Sequence, residues 1–226
     1  MKTCATVNRL ITQCMDFFSG LDIPCAICAG YALDLFTNTE IRPRSDIDVL
    51  LFENDKQKCL QYVFDQGWEL YENLGKGVFR YIGNPNDQIA ERFSIQAVKP
   101  GCSFINFEET DDGSYKLVLK KNEQTEFDYI DMMFNPREGS RLLYAQNPAI
   151  SRELDKAMLF TPDGIPYICP EFVLFCKSTT IDRKGYQLEF DVTLPLLSEE
   201  ARNWLINALE TAYPDGHKWS ELLKKE

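Results

Sequence analysis

The spacing of apolar positions predicts alternating short helices and strands over the first 135 residues. Val7, Leu10, Ile11, Cys14, Phe17 and Phe18 recur at helical spacing within residues 5–19, and Gly20 stands where a helix C-cap is expected. Residues 23–29 form a short apolar run, read as a buried strand; Gly30 then begins a turn into a short helix over 31–36. Residues 46–52, Asp-Ile-Asp-Val-Leu-Leu-Phe, predict a second strand, and 56–66 an amphipathic helix with Leu60, Val63 and Phe64 inward. Further strands are expected at 68–71, 78–82, 92–98, 103–107, 115–120 and 125–134. Asp111-Asp112-Gly113-Ser114 is a hairpin turn signal, and Asn135-Pro136 ends the last strand.

Beyond that point the pattern changes. Pro162-Asp163-Gly164 marks a turn, a helix is expected over 170–179 with proline at its start, and Ser198 is the expected N-cap of a helix reaching about residue 211. A last short helix is expected from His217. The pattern predicts an α/β half and a helical half dividing between 136 and 150; the expected domains are 1–135 and 136–226.

Composition narrows the classes. Of the 226 residues 44% are hydrophobic, enough for a sizeable core and too many for a disordered chain. A net charge of -11 argues against a nucleic-acid partner and is compatible with a cationic small molecule. There is no run of 18 apolar residues, so no membrane span is expected, and the first 20 residues lack the unbroken apolar stretch of a signal peptide. Eight cysteines without such a signal point to reduced thiols in the cytoplasm. Cys25-Ala26-Ile27-Cys28 is the one CxxC; the other cysteines (4, 14, 59, 102, 169, 176) supply no second pair and His217 is the only histidine, so core thiols are expected rather than zinc ligands.

The candidate chemistry lies at the head of the second strand. Asp46 and Asp48 are two residues apart, and on a strand such residues share a face. Carboxylates held that close repel, and a divalent cation offsets the repulsion. Phosphoryl chemistry needs such an arrangement, since Mg²⁺ takes one or two carboxylates and fills its shell with phosphate oxygens and water. Gly30 precedes Asp46 in a turn where backbone N–H groups can approach phosphates. A third acid is sought in 125–134, where Glu126 and Asp128 share one face and Asp131 takes the other. Other nucleotide signatures are missing: there is no phosphate-binding GxxxxGK[ST], no HExxH, and Gly75-Lys76-Gly77 falls in a hairpin loop.

Ala29-Gly30-Tyr31-Ala32-Leu33-Asp34-Leu35, then Arg42, then Asp46-Ile47-Asp48, resembles the nucleotidyltransferase superfamily, and within it the aminoglycoside and lincosamide nucleotidyltransferase branch. That branch has a double glycine, a tryptophan, alanine and aspartate, then arginine, a basic residue and two aspartates around an apolar residue. Gly30 matches the second glycine, Tyr31 the tryptophan and Arg44 the basic residue; Ala29 replaces the first glycine. The later part resembles relatives through residues 163–171, Lys177, 194–197, Arg202-Asn203-Trp204-Leu205 and Pro214-Asp215-Gly216-His217-Lys218-Trp219.

The resemblance implies an α+β fold: an N-terminal mixed sheet with flanking helices that holds Mg²⁺ and nucleotide, and a mainly helical domain that closes the cleft. It implies transfer of a nucleoside monophosphate from an NTP, ATP in the first place, to a hydroxyl of a small molecule such as an aminoglycoside or lincosamide antibiotic. Asp46 and Asp48 would bind metal, and Asp131, after two apolar residues, would be the third ligand or the general base, with Asp128 in reserve. Ala29, Gly30, Tyr31, Arg42, Arg44, Ser45 and Lys177 would line the nucleotide site. Two other readings stand beside this one: an antitoxin-like nucleotidyltransferase that modifies a protein or RNA, and a nucleotide-binding module without catalysis.

Overall fold

In the computed structural model, which describes residues 7–87, 89 and 94–224, the leading amphipathic segment forms α1 (Val7–Ser19), followed by β1 (Ala26–Ile27), α2 (Ala29–Thr37), β2 (Asp48–Phe52) and α3 (Lys56–Asp65). Six strands come next: β3 (Glu69–Gly75), β4 (Val78–Ile82), β5 (Ser94–Val98), β6 (Ile105–Glu109), β7 (Tyr115–Leu119) and β8 (Tyr129–Asn135). The later part holds β9 (Arg137–Glu138), β10 (Arg141–Tyr144), β11 (Asn147–Glu153), α4 (Leu154–Ala157), β12 (Met158–Phe160) and β13 (Pro166–Ile168). The chain ends in α5 (Pro170–Ser178), α6 (Tyr186–Thr193), α7 (Glu199–Ala212) and α8 (Lys218–Leu223). No helix among the described residues is long and apolar enough to cross a membrane.

The chain divides into two units. A sheet unit comprises residues 5–27 and 43–135; a helical unit comprises 28–42 together with the chain from 136 onward. The change of unit at Asn135–Pro136 falls where the apolar pattern changes, and the segment 28–42 groups with the later half.

In the sheet unit the strands run in the order β1-β2-β8-β5-β3-β4-β7-β6. β2 and β8 are parallel, with Asp48 opposite Asp131. β5 lies antiparallel to β8 and to β3, and all five of its residues are buried, as befits a central strand covered on both faces. α1 buries the stripe Leu10, Ile11, Cys14 and Phe18. Phe17 meets the rings of Tyr62, Trp68 and Phe127, and the Tyr62 hydroxyl donates to the Phe17 carbonyl at 2.6 Å. The expected hairpin joins β6 and β7, with Gly113 at φ +76° in the turn. Under it Phe107 stacks on Tyr71 at 3.8 Å, beside Phe79, Phe104 and Tyr129.

The helical unit carries more strand than its sequence pattern suggests. β11-β10-β9 form a three-stranded antiparallel sheet and β12 pairs with β13. These strands are short, with exposed residues such as Arg137, Glu138 and Arg141, so they leave little apolar alternation to read. The helices follow expectation: Pro170 opens α5, and the Ser198 side chain accepts the Ala201 N–H to cap α7. α7 buries Ala201, Leu205, Ala208 and Leu209, and the fully buried Trp219 of α8 stacks on Phe190 at 4.5 Å.

Several boundaries shift. The strand expected at 23–29 is only Ala26–Ile27, because Pro24 has no N–H to donate and the chain turns into α2 at Ala29 rather than at Tyr31. The strand expected at 46–52 starts at Asp48, and that expected at 125–134 starts at Tyr129. Residues 92 and 93 of the expected strand 92–98 lie outside the described residues, as does Cys4.

Candidate active site

The site grows from the one parallel pairing among the described strands of the sheet unit. β2 and β8 are neighbours, and their registration brings Asp48 and Asp131 directly opposite. The Asp131 N–H donates to the Ile47 carbonyl at 3.0 Å, and the Gln124 N–H to the Ser45 carbonyl at 2.7 Å, so the chain entering β2 is already held at two points. Asp46 lies in that entry segment rather than on the strand, half-buried, with the Ser45 hydroxyl donating to its Oδ1. The two acids that face each other are therefore Asp48 and Asp131 across two strands, with Asp46 in the segment ahead of β2, rather than two acids on one strand face.

Asp131 is half-buried and bonded to two side chains of β5. Its Oδ1 accepts from Ser94 Oγ at 2.9 Å and from Gln96 Nε2 at 3.1 Å; Gln96 Nε2 also reaches Ser94 Oγ at 2.8 Å. Both partners are neutral. Burial, and then the charge of Asp46, push the Asp131 carboxyl up to about 7 against the pull of those two hydrogen bonds. The nearby Tyr129 hydroxyl is pushed up by burial and by the charges of Asp131, Asp46 and Asp48. The two other acids of the 125–134 segment precede β8 and do not share a strand face. Asp128 Oδ2 accepts the Ser103 N–H at 2.6 Å and its carbonyl accepts the Lys99 N–H at 2.9 Å, so it ties down a turn. Glu126 is exposed and pairs with Arg9 at 3.7 Å.

Three aspartates make an oxygen donor set of the kind Mg²⁺ prefers, and the mutual repulsion of such carboxylates is what a divalent cation offsets. Among the described residues no three Asp, Glu, His or Cys side chains are drawn together into a ready-made cage. Mg²⁺ at a phosphoryl-transfer site does not need one, because substrate phosphates and water complete its shell. The residues fit the ion on donor chemistry.

The remaining expected residues fall in different places. Arg44 is buried in the sheet unit. Ala29, Gly30, Tyr31, Arg42 and Lys177 belong to the helical unit. Ala29 takes φ +51°, the left-handed conformation that the double-glycine pattern anticipates, while Gly30 is helical and buried. The turn that was expected to centre on Gly30 therefore centres on Ala29. Lys177 is buried and pairs with Glu189 Oε2 at 3.0 Å, its ammonium 4.2 Å from the centre of the Tyr186 ring. Arg42 Nε donates to Glu189 Oε1 at 2.9 Å.

His217 serves structure. Its Nδ1 accepts the Trp219 N–H at 3.1 Å to cap α8, its Nε2 lies 3.2 Å from the Ser178 carbonyl, and the ring stacks on Tyr213. Cys25 is half-buried and Cys28 buried; burial pushes the Cys25 thiol up to about 11, and the described cysteines are free thiols.

Sequence reasoning missed Ser94, Gln96 and Glu189. For the first two a signal existed: polar residues at alternate positions in an apolar five-residue strand share one face, and that face holds Asp131. For Glu189 the sequence gives no hint, because an acid on a short amphipathic helix ordinarily faces water.

No family model and no curated protein matches the sequence. Among solved structures, that of the antibiotic-resistance factor ANT(2″)-Ia in solution is similar over 95% of this chain and 96% of that one, with a TM-score of 0.52 and 13% identity. The crystal structure of ANT(2″)-Ia in complex with adenylyl-2″-tobramycin gives a TM-score of 0.48 at 12% identity, over 94% of this chain and 99% of that one. The lincosamide antibiotic adenylyltransferase LnuA, lincomycin-bound, gives 0.44 at 16% identity, over 88% and 94%. Identity this low speaks to the fold, and it agrees with the parallel pairing that sets Asp48 beside Asp131: the chain has a nucleotidyltransferase fold.

Proposed function

We propose that the protein is an Mg²⁺-dependent nucleotidyltransferase that moves a nucleoside monophosphate from an NTP, ATP first among them, to a hydroxyl of a small molecule. The observation that carries this reading is the parallel register that sets Asp48 opposite Asp131, with the charge of Asp46 acting on Asp131 and only neutral side chains bonded to its Oδ1. Asp46 and Asp48, with Asp131, would hold the metal. The ion, when bound, would neutralise charge on the triphosphate and on the leaving group. Asp131 receives the acceptor's hydroxyl proton; a bond forms from that oxygen to the α-phosphorus, the bond from α-phosphorus to the bridging oxygen breaks, and pyrophosphate leaves. Arg42, Arg44, Ser45, Lys177 and the turn at Ala29–Tyr31 bind nucleotide.

The similar structures include proteins bound to adenylyl-2″-tobramycin and to lincomycin, so an antibiotic acceptor is the first to try. A net charge of -11 favours a cationic one. The test is pyrophosphate release from each NTP with Mg²⁺ against a panel of aminoglycosides and lincosamides, in wild type and Asp48→Asn. Release that depends on acceptor and metal and vanishes in Asp48→Asn supports the reading. Binding of NTP without release for any acceptor points to the non-catalytic module instead.

A further inference from the structure

Two polar side chains are built into a wholly buried strand, and both end on one oxygen atom. Ser94 and Gln96 stand two residues apart on β5, both buried, on the face that carries Asp131. A single cross-strand row runs through Asp48, Asp131, Gln96 and Tyr71, on neighbouring strands of the sheet unit.

The hydrogens follow by elimination. The Gln96 Nε2 amide has two, and it has two acceptors: Ser94 Oγ at 2.8 Å and Asp131 Oδ1 at 3.1 Å. Ser94 Oγ thus accepts from Gln96, and its own hydrogen goes to Asp131 Oδ1 at 2.9 Å. Turning the amide over would set its carbonyl oxygen against the carboxylate, so its orientation is fixed. The result is a closed triangle of hydrogen bonds. It puts two donors on Oδ1 and, among the described residues, none on Oδ2. A carboxylate oxygen offers two lone-pair directions, and both of those on Oδ1 are taken.

Stability alone does not account for the amide. Gln96 Oε1 is buried and meets no donor among the described residues. A buried acceptor without a partner is costly, and an apolar side chain at the centre of a buried strand would avoid that cost. What Gln96 contributes lies on its Nε2 side, at Asp131.

We infer that Ser94 and Gln96 are positioning residues that make Asp131 a one-oxygen group: they occupy Oδ1 and leave Oδ2 as the single atom with which Asp131 meets the acceptor's hydroxyl or a cation. The inference rests on the nucleotidyl-transfer reading and refines it. With Oδ1 engaged, Asp131 cannot clasp an ion with both oxygens, and the hydroxyl proton passes to Oδ2. The triangle also stops the carboxylate from rotating, so Oδ2 keeps one direction. Freed of its two donors, the carboxylate could offer both oxygens to a cation. Cation binding would then hold or tighten while the hydroxyl lost its fixed partner.

The test compares Ser94→Ala, Gln96→Leu and Ser94→Thr with wild type, and repeats the first two in Asp131→Asn. Pyrophosphate release gives kcat and the KM for NTP; calorimetry with Mn²⁺ alone gives cation affinity without turnover. In Ser94→Ala and Gln96→Leu, kcat should fall about 10–100-fold, while KM and Mn²⁺ affinity stay within about threefold of wild type or tighten. Ser94→Thr keeps the hydroxyl and should recover most of the rate. In Asp131→Asn the same two substitutions should change the residual rate by less than about threefold, because the carboxylate they act through is gone. Losses that persist at full size in Asp131→Asn would mark a packing role and overturn the inference. So would variants that match wild type, or Mn²⁺ affinity that falls in step with kcat. If Gln96→Leu does not fold, Ser94→Ala decides alone. Wild type that releases no pyrophosphate sinks the parent reading and this one with it; active wild type matched by its variants sinks only this one.

Discussion

Asp131 in the sheet unit and Glu189 in the helical unit are acids held in opposite ways. In the sheet unit Asp131 is held by Ser94 and Gln96, both neutral, and Asp46 adds negative charge beside it. In the helical unit Glu189 meets Arg42 and Lys177, and Glu171 meets Arg152 at 2.6 Å. A carboxylate desolvated beside another negative charge is costly, and a cation from outside relieves it; a carboxylate buried with cations is part of the fabric. The first arrangement suits a metal; the second pins elements of its own unit together.

The comparison breaks most visibly at Asp131. Asp131→Asn keeps shape and size, so nucleotidyl transfer should fall roughly 10²–10⁴-fold, the usual loss of a positioned base. Stability without metal should hold or rise, because a charge repelled by Asp46 is gone. Pyrophosphate release and urea unfolding at pH 8 measure both; a variant that is inactive because it is unfolded counts against the assignment.

On the other side, Arg152→Met leaves Glu171 buried without its cation and should cost about 3–5 kcal/mol. Glu200, the second partner of Arg152, has 53% of its side chain exposed, so Glu200→Gln should cost under about 1 kcal/mol. Denaturant midpoints of the two variants decide it, and equal losses would erase the distinction between buried and exposed acids.

A smaller effect is expected at His217. Its Nδ1 must accept the Trp219 N–H, so the folded state prefers the neutral ring, and burial lowers its pKa below the ordinary 6.5. The unfolded chain then binds the proton at higher pH than the folded one, so stability is full above about 6.5 and declines as pH falls from there. His217→Asn retains an acceptor that does not titrate. Between pH 8 and 5.5 wild type should lose about 1 kcal/mol more than this variant, on the scale of one helix cap. Parallel pH profiles would refute the account.

The smallest change concerns Ala29. At φ +51° an alanine is strained by about 1–2 kcal/mol, partly offset by the greater freedom glycine has when unfolded. Ala29→Gly should raise stability by under about 1 kcal/mol in a thermal melt, and a lower melting temperature would show that the turn is not strained.

How much of this was legible depends on whether the signal was local. Ser198 and Pro170 announced their helices because a cap and a first turn are matters of a few residues. Asp48 announced itself by heading an apolar strand. Asp46 was placed on that strand by its spacing from Asp48, yet spacing cannot say where pairing begins. Asp131 could be separated from Glu126 and Asp128 only by resemblance, and the register that sets it against Asp48 joins strands more than seventy residues apart in the chain. The role of Glu189 depends on Arg42, 147 residues earlier, and no pattern within a window reaches that far.

That distance has a consequence for how the chain is made. α2 buries Tyr31, Ala32 and Leu33, and the elements it packs on within its unit, β13, α5 and α6, begin at Pro166, Pro170 and Tyr186. A ribosome adding about 5–20 residues per second needs on the order of ten seconds to reach them. Through that interval the apolar side of α2 is already outside the exit tunnel and still lacks its shelter. A helix whose shelter arrives that late is a natural client for a holding chaperone.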